Sequence, residues 1–218
     1  NNFWLLVSKE NLKNKDGVTK LNQNSRYAGY DYTFNTGVSL GFFVGESTGK
    51  HKNIAQGIYL KKDLKPFYLG AIYKHTNKND KKFYSNDFSF IAGYNKELGE
   101  KVFVDSNVKL TRGYTSSYDY IAENNLNTKN EKVNYLNGEV NTKLGYKFKH
   151  GNAFLKVGLD KDLKGNQKVV WNENIDEKIK YDDFSKNIGL GMEYKLGNHS
   201  FNLELSKKYS KHYRKNTK

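Results

Sequence analysis

Hydrophobic and polar residues alternate with a period of two along most of the chain, and no helical period is sustained. Between residues 102 and 113, for example, Val102, Val104 and Val108 share one face of an extended chain. The opposite face carries polar and charged residues. Each alternating segment runs for roughly ten residues, which is the length that a tilted strand needs to cross a bilayer. The pattern therefore predicts a series of amphipathic strands.

The connections between the predicted strands alternate between long and short. Eleven strands are expected, at residues 3–9, 26–34, 37–47, 53–61, 66–76, 85–97, 102–114, 132–148, 153–163, 184–196 and 199–210. The long connections, rich in Lys, Asn, Asp and Glu, are residues 10–25, 48–52, 77–84, 115–131 and 164–183. The short ones are residues 35–36, 62–65, 149–152 and 197–198 and the turn around Leu98 and Gly99. Transmembrane barrels carry tight turns at one rim and long polar loops at the other, whereas a soluble sandwich has similar turns at both ends.

The predicted fold is all-β, a transmembrane antiparallel up-and-down β-barrel. An open sheet edge inside lipid would leave backbone N–H and C=O groups unpaired, at a cost of several kcal/mol each, so the sheet is expected to close. Closure with every neighbour antiparallel requires an even number of strands. We therefore expect about 12 strands in the barrel, of which about 11 lie in this chain, with the final strand absent after Lys218.

Composition agrees with an extensive sheet. The 218 residues include 19 glycines, 17 tyrosines and 13 phenylalanines but one proline. Proline removes a hydrogen-bond donor and is confined to sheet edges, whereas aromatic residues favour pleated surfaces. Cysteine is absent, which excludes a disulfide framework and any thiolate metal site. No linker-like segment divides the chain, so we expect a single domain over residues 1–218.

Charge and hydropathy limit the kind of partner and compartment. The formal net charge of +14 has three possible explanations: binding to nucleic acid, binding to an anionic membrane surface, or basic residues in solvated loops. The mean hydropathy of −0.87 is compatible with a membrane barrel, because only the lipid-facing half of each strand must be apolar. The sequence has neither an apolar run long enough for a transmembrane helix nor a segment typical of a signal peptide. An export signal is therefore expected upstream of residue 1.

Two groups of residues are candidates for a functional role in such a barrel. Polar residues that alternate with the apolar face are expected to line a hydrated lumen: Asp105, Asn107, Lys109, Glu139, Asn141, Lys143, Asp160 and Glu193. Aromatic residues near strand ends are expected to form an interfacial girdle, with packing inside the lumen as the alternative for some of them: Trp4, Tyr30, Tyr32, Tyr73, Tyr94 and Tyr194.

Patterns typical of catalysis or metal binding are weak in this chain. Residues 37–41 match G-x-S-x-G, but the strand alternation continues through them, where a nucleophile elbow needs a sharp turn; Ser39 is expected to be a small lumen-facing residue. The five histidines show no clustered spacing. Asp160 and Asp162 share a strand face, and we expect lumen or rim charges rather than a proton-sharing pair. No catalytic residue, metal site or cofactor is predicted.

The basic residues at 207–218 are interleaved with Tyr209 and Tyr213, a combination found in nucleic-acid-binding proteins. Their position on a predicted outer loop argues against nucleic acid as a partner. Two alternatives stay open for these charges: contact with phosphorylated lipopolysaccharide, and solvated charges that keep the loops apart.

Several segments resemble the β-domain of autotransporters, the C-terminal barrel of self-secreting proteins. An aromatic opening strand with Phe3 and Trp4 is followed by a polar loop and by YAGYDYTFNTGVSLGFFVG at 27–45, similar to the family's second and third strands. The segments LGYKFKHGNAFLKVGLDKDL at 144–163 and IGLGMEYKLGNHSFNLELSKKYS at 188–210 resemble its eighth to eleventh strands. The resemblance covers nearly the whole chain, and it rests on the order and spacing of these segments taken together.

The resemblance implies a twelve-stranded translocator barrel of type V secretion in the bacterial outer membrane. Such a barrel anchors a covalently linked upstream passenger domain and exports it to the cell surface, with energy largely from passenger folding. Its implied partners are outer-membrane lipid and lipopolysaccharide and the barrel-assembly machinery, and it uses no cofactor. Two family features are missing from the sequence: the final strand with its aromatic end after Lys218, and the lumen-plugging helical linker before Asn1.

Three other functions stay open beside that of a non-enzymatic translocator. One is an outer-membrane pore or adhesin whose own long loops bind ligands. Another is a barrel hydrolase that uses Ser39. The last is a soluble basic β-protein, which predicts folding without detergent and a strongly salt-dependent affinity for nucleic acid.

Overall fold

The structure of the protein, a computed structural model, describes residues 2–14, 20–49, 51–78, 83–121, 127–171, 175–180 and 184–211. None of these residues forms a helix long and apolar enough to cross a membrane. They form fourteen strands: β1 (Asn2–Asn14), β2 (Lys20–Thr33), β3 (Val38–Thr48), β4 (Lys52–Leu64), β5 (Phe67–Lys78), β6 (Phe83–Glu97), β7 (Val102–Thr115), β8 (Tyr118–Ile121), β9 (Asn127–Asn130), β10 (Val133–Phe148), β11 (Gly151–Trp171), β12 (Ile175–Lys180), β13 (Phe184–Leu196) and β14 (His199–Lys211).

Eleven of these strands form one closed barrel. Strands that follow one another pair side by side and antiparallel, from β1 to β7 and on through β10, β11, β13 and β14. β14 then pairs with β1, and this last pairing is parallel, with Phe3 beside His199 and Asn14 beside Ser210. The all-β barrel fold and the eleven barrel strands predicted from the sequence are confirmed.

The parallel pairing of β1 with β14 corrects the expectation that closure needs a twelfth strand. Strand direction alternates around an all-antiparallel ring, so such a ring needs an even number of strands. An odd number closes when one pair of neighbours runs parallel, and β1 and β14 make that pair along most of their length. The odd strand count is therefore no evidence for a missing strand.

The side chains of the barrel strands alternate between two contrasting faces. On β3, Ser39 and Gly41 are buried, whereas Leu40, Phe42 and Val44 are exposed. Around the barrel the exposed positions carry large apolar side chains, up to 62% exposed at Leu190. The buried positions are mostly small and polar. This distribution is the reverse of that in a water-soluble core, and it leaves a continuous apolar belt on the outside.

Tight turns connect the strands at one rim, which we call the short-turn rim. Between β2 and β3, Phe34 N–H donates to the Val38 carbonyl at 2.8 Å, and Gly37 has a φ of 74° that favours glycine. The other connections at this rim are residues 65–66, 98–101, 149–150 and 197–198. All five short connections predicted from the sequence are found at this rim.

The opposite rim, the long-loop rim, differs from the sequence analysis in its detail. Residues 115–131 and 164–183 were expected to be loops, but they contain β8, β9, β12 and the end of β11. These strands form a small outer sheet in the order β12–β11–β9–β8. The expected long connection at 48–52 is tight, since β3 ends at Thr48 and β4 begins at Lys52.

Candidate functional site in the barrel interior

Polar residues of β7, β10, β11 and β13 line the inner face of the barrel. Lys109 Nζ lies 2.8 Å from Glu139 Oε1 on the adjacent strand. Asn152 donates to Glu193 Oε2 at 2.8 Å. The structure places on this inner face all eight residues that the sequence assigned to the lumen: Asp105, Asn107, Lys109, Glu139, Asn141, Lys143, Asp160 and Glu193.

Ion pairs cross the interior between strands that are not adjacent. Lys156 Nζ on β11 lies 2.7 Å from Glu204 Oε1 on β14, and Lys208 Nζ on β14 lies 3.2 Å from Asp160 Oδ2 on β11. Both pairs span β13 and are partly buried, so salt screens them less than pairs on the protein surface. The inner wall therefore presents charges of both signs that are largely matched within the wall itself.

Eight aromatic side chains lie on the inner face, each against a glycine of the neighbouring strand. A Cβ atom at any of these glycines would overlap the ring, so only a hydrogen fits there. The register puts the two members of each pair directly opposite one another: Trp4–Gly29, Tyr27–Gly45, Phe43–Gly57, Tyr59–Gly41, Tyr68–Gly93, Tyr135–Gly113, Phe103–Gly145 and Phe154–Gly191.

Three of these rings are tyrosines that reach across the glycine to the strand beyond it. Tyr59 on β4 crosses Gly41 on β3, and its hydroxyl donates to Asp31 Oδ2 on β2 at 2.8 Å. Trp4 Nε1 donates to the same hydroxyl at 2.9 Å. Each row links three strands and gives a partly buried hydroxyl its hydrogen-bond partner. The other two rows are Tyr68–Gly93–Asp105, with an oxygen–oxygen distance of 2.8 Å, and Tyr135–Gly113–Asp87.

A cavity of about 480 Å³ lies inside the barrel toward the short-turn rim. Its wall combines aromatic rings with charges of both signs: Trp4, Phe103, Phe154, Asp105, Lys143 and Glu193. Within the described residues, no group of three or more His, Asp or Glu side chains is placed to hold a metal ion.

The residues considered for catalysis do not meet in a reactive arrangement. Ser39 is 9% exposed on the inner face, and its Oγ lies 2.8 Å from Thr33 Oγ1. β3 continues through Ser39 as a regular strand, where a nucleophile elbow would turn sharply. Asp160 and Asp162 both accept hydrogen bonds from Asn137, at 2.8 Å and 3.1 Å, within the inner-face network.

Five of the six residues assigned to the aromatic girdle face outward. They contact other outward aromatic rings or lie at the end of the apolar belt: Tyr30, Tyr32, Tyr73, Tyr94 and Tyr194. Trp4 instead lies inside, against Gly29 and Tyr59. Phe3, which precedes it, takes the outward position on β1.

The inward tyrosines and the glycines beneath them are not recognisable from the sequence alone. A strand glycine opposite an aromatic residue is visible in the sequence only when the register of both strands is known. The register of neighbouring strands was not predicted, so the eight pairs could not be recognised.

The geometry defines a class of protein: a closed β-barrel with an apolar outside and a polar, hydrogen-bonded inside. The chain is similar to the crystal structure of the beta domain of the Bordetella autotransporter BrkA, with a TM-score of 0.54 and 16% sequence identity over 90% of this chain and 86% of that chain. No protein-family model and no curated protein matches the chain. The autotransporter-type barrel that the sequence resembles is thus confirmed as the fold.

Proposed function

We propose that the chain is the translocator barrel of an autotransporter, which anchors and exports an upstream passenger domain and is not an enzyme. The observation that carries the proposal is the closed barrel with an apolar exterior and a polar interior, matched over 90% of the chain by an autotransporter beta domain. The proposed location is the bacterial outer membrane. The barrel-assembly machinery, membrane lipid and lipopolysaccharide are the proposed partners there.

The outer surface supports insertion into a bilayer. Exposed side chains such as Phe90 and Leu190 would be unfavourable in water, but lipid solvates them. Closure pairs the backbone groups of every barrel strand with a neighbour on both sides, which removes the cost of an open edge in lipid. The proposed orientation puts the short-turn rim in the periplasm and the long-loop rim outside.

The interior supports passage of a polypeptide rather than catalysis. Paired charges and hydrogen-bonding side chains keep the wall wetted, and the cavity near the short-turn rim is the proposed entry for the chain that leads to the passenger. Passage of a polypeptide through a hydrated lumen requires a sufficiently wide lumen but no catalytic group. Folding of the passenger outside the cell is the proposed source of energy.

Two measurements test the proposal. The barrel, refolded in detergent, is expected to migrate faster on an electrophoresis gel before heating than after it, as closed barrels do. A reporter domain fused before Asn1 is expected to become accessible to external protease on intact cells. A folded barrel that leaves the reporter inside the cell would refute the export role, and a chain that folds only without detergent would refute the membrane barrel.

A second candidate, a surface adhesin, is favoured by the outer sheet of β8, β9, β12 and the end of β11. A structured sheet at the long-loop rim offers a larger binding surface than short loops do. Cells that produce the barrel alone would then adhere to a surface, and replacing residues 118–130 with a short turn would abolish adhesion without affecting display of the reporter.

A further inference from the structure

The outward face of the barrel is unusual in the sign of its charges. Within the described part of the barrel strands, Glu46 is the one acidic residue whose side chain faces outward. The other carboxylates described on the barrel strands lie on the inner-face side, where several of them pair with lysines. Glu46 pairs with Lys52 at 2.8 Å and lies opposite Arg26 on β2, whereas the other outward-facing lysines and arginines have no outward acid on the described barrel strands.

Five of these outward cations occupy equivalent places on five consecutive strands. On each strand the outward side chains are apolar or aromatic from the short-turn rim upward, and the first polar one toward the long-loop rim is basic. On β13, for example, Lys186 lies next to Ile188 and Leu190 on the outward face, on the side of the long-loop rim. We call this set the cationic arc: Lys161 on β11, Lys186 on β13, Lys207 on β14, Lys9 on β1 and Arg26 on β2.

The cationic arc occupies five adjacent strands, and among the remaining barrel strands Arg112 on β7 also points outward beyond the apolar run. On β3 to β6 the first polar outward positions beyond the apolar run hold other residue types: Glu46, Gln56, His75 and Asn86. An even ring of snorkelling lysines would be expected if the charges only kept the barrel at its depth in the membrane. The concentration on adjacent strands indicates a binding surface.

The side chains of the cationic arc are available to a ligand. Lys9, Lys161 and Lys186 are exposed, and no carboxylate of the described residues lies within ion-pair distance of them. Lys207 Nζ lies 5.1 Å from the centre of the Tyr209 ring. Since neighbouring strands lie about 4.8 Å apart, the five cations span about 20 Å of the circumference.

We propose that the cationic arc binds the phosphate groups of lipopolysaccharide, a phosphorylated glycolipid, in the outer leaflet. This inference rests on the proposed function, which places the long-loop rim at the outer surface. The apolar residues just below the arc, such as Leu205 and Val7, contact the acyl chains of the same molecule. A ligand that fits must carry acyl chains and, at the level where they end, several anionic groups side by side. Nucleic acid lacks the apolar part.

Binding of purified lipopolysaccharide to the folded barrel in detergent tests the proposal. One variant removes three cations of the arc: Lys161→Gln, Lys186→Gln and Lys207→Gln. The matched control removes three exposed lysines at the short-turn rim: Lys96→Gln, Lys101→Gln and Lys149→Gln. We expect the arc variant to bind at least about tenfold more weakly than the wild type and the control. All three proteins should bind dephosphorylated lipopolysaccharide equally weakly.

Three results would overturn the proposal. They are an equal loss in the arc and control variants, an affinity unchanged by dephosphorylation, and equally tight, arc-dependent binding to vesicles of phosphatidylglycerol. Gel migration and reporter display are measured on the same proteins. A folded barrel without display refutes the export role alone, whereas display together with unchanged binding by the arc variant refutes the glycolipid site alone.

Discussion

At the scale of single residues, the interior depends on glycines that leave room for rings. Gly113 faces the Tyr135 ring, whose hydroxyl donates to Asp87 two strands away. A methyl group at Gly113 would push the ring outward and lengthen that hydrogen bond. The glycine is therefore coupled to a hydrogen bond that it does not itself make.

Substitution of Gly113 tests this coupling. We expect Gly113→Ala to lower the free energy of unfolding by about 1–3 kcal/mol, because the added carbon overlaps the Tyr135 ring. Gly70→Ala is the matched control, since its Cβ would meet its nearest atoms at 3.6 and 3.7 Å, which is ordinary contact. The control is expected to change stability by less than about 1 kcal/mol. Urea titration of the barrel folded in vesicles measures both, and equal stability of the two variants would contradict the steric argument.

The placement of Trp4 shows why single residues are harder to predict than strands. Residues 3–7 are all apolar, so alternation gives no sign of which ones face inward. Gly29 on β2, opposite Trp4, leaves space for the indole on the inner face. Alternation indicates the polar face more directly elsewhere, since Asp105 and Lys109 alternate with valine and leucine.

At the scale of elements, period two was sufficient for the barrel strands but not for the outer sheet. A transmembrane barrel strand needs one apolar face toward lipid, so every second residue of the strand is apolar. β9 has the sequence NTKN and contains no apolar residue. It pairs with β8 and β11 through backbone groups, which any sequence provides. Strands of this kind leave no hydrophobic pattern to detect.

The parallel pairing of β1 with β14 can be tested directly by disulfide cross-linking. The chain contains no cysteine, so introduced cysteines can react only with each other. Paired positions lie about 5 Å apart, within reach of a disulfide. We expect Phe3→Cys with His199→Cys, and Val7→Cys with Leu203→Cys, to cross-link under mild oxidation in the folded barrel.

The exchanged combinations serve as controls for direction. Phe3→Cys with Leu203→Cys, and Val7→Cys with His199→Cys, place the thiols about 13 Å apart along the strands and should stay reduced. Cross-linking of the exchanged pairs alone would indicate an antiparallel neighbour. If none of the four pairs reacts, another strand or a gap separates β1 from β14.

At the scale of the whole molecule, one chain presents an apolar surface on the outside and a polar surface on the inside. The outward face is apolar over the height of the belt, whereas the inward face matches its charges and hydroxyl groups internally. The mean hydropathy of −0.87 averages these two surfaces and therefore hides both. Depth along the strand, which the average does not contain, is the quantity that matters for insertion.

The depth dependence gives a test of the membrane span itself. Leu190 and Leu196 lie on the same outward face of β13, with exposures of 62% and 57%, but Leu190 is within the belt and Leu196 is at the short-turn rim. In lipid vesicles we expect Leu190→Arg to destabilise the folded barrel by about 2–4 kcal/mol and Leu196→Arg by at most about 1 kcal/mol. If water surrounded the outward face of β13, arginine would be tolerated equally at both positions. Equal effects of the two substitutions in a urea titration would therefore show that the bilayer does not surround β13 at Leu190.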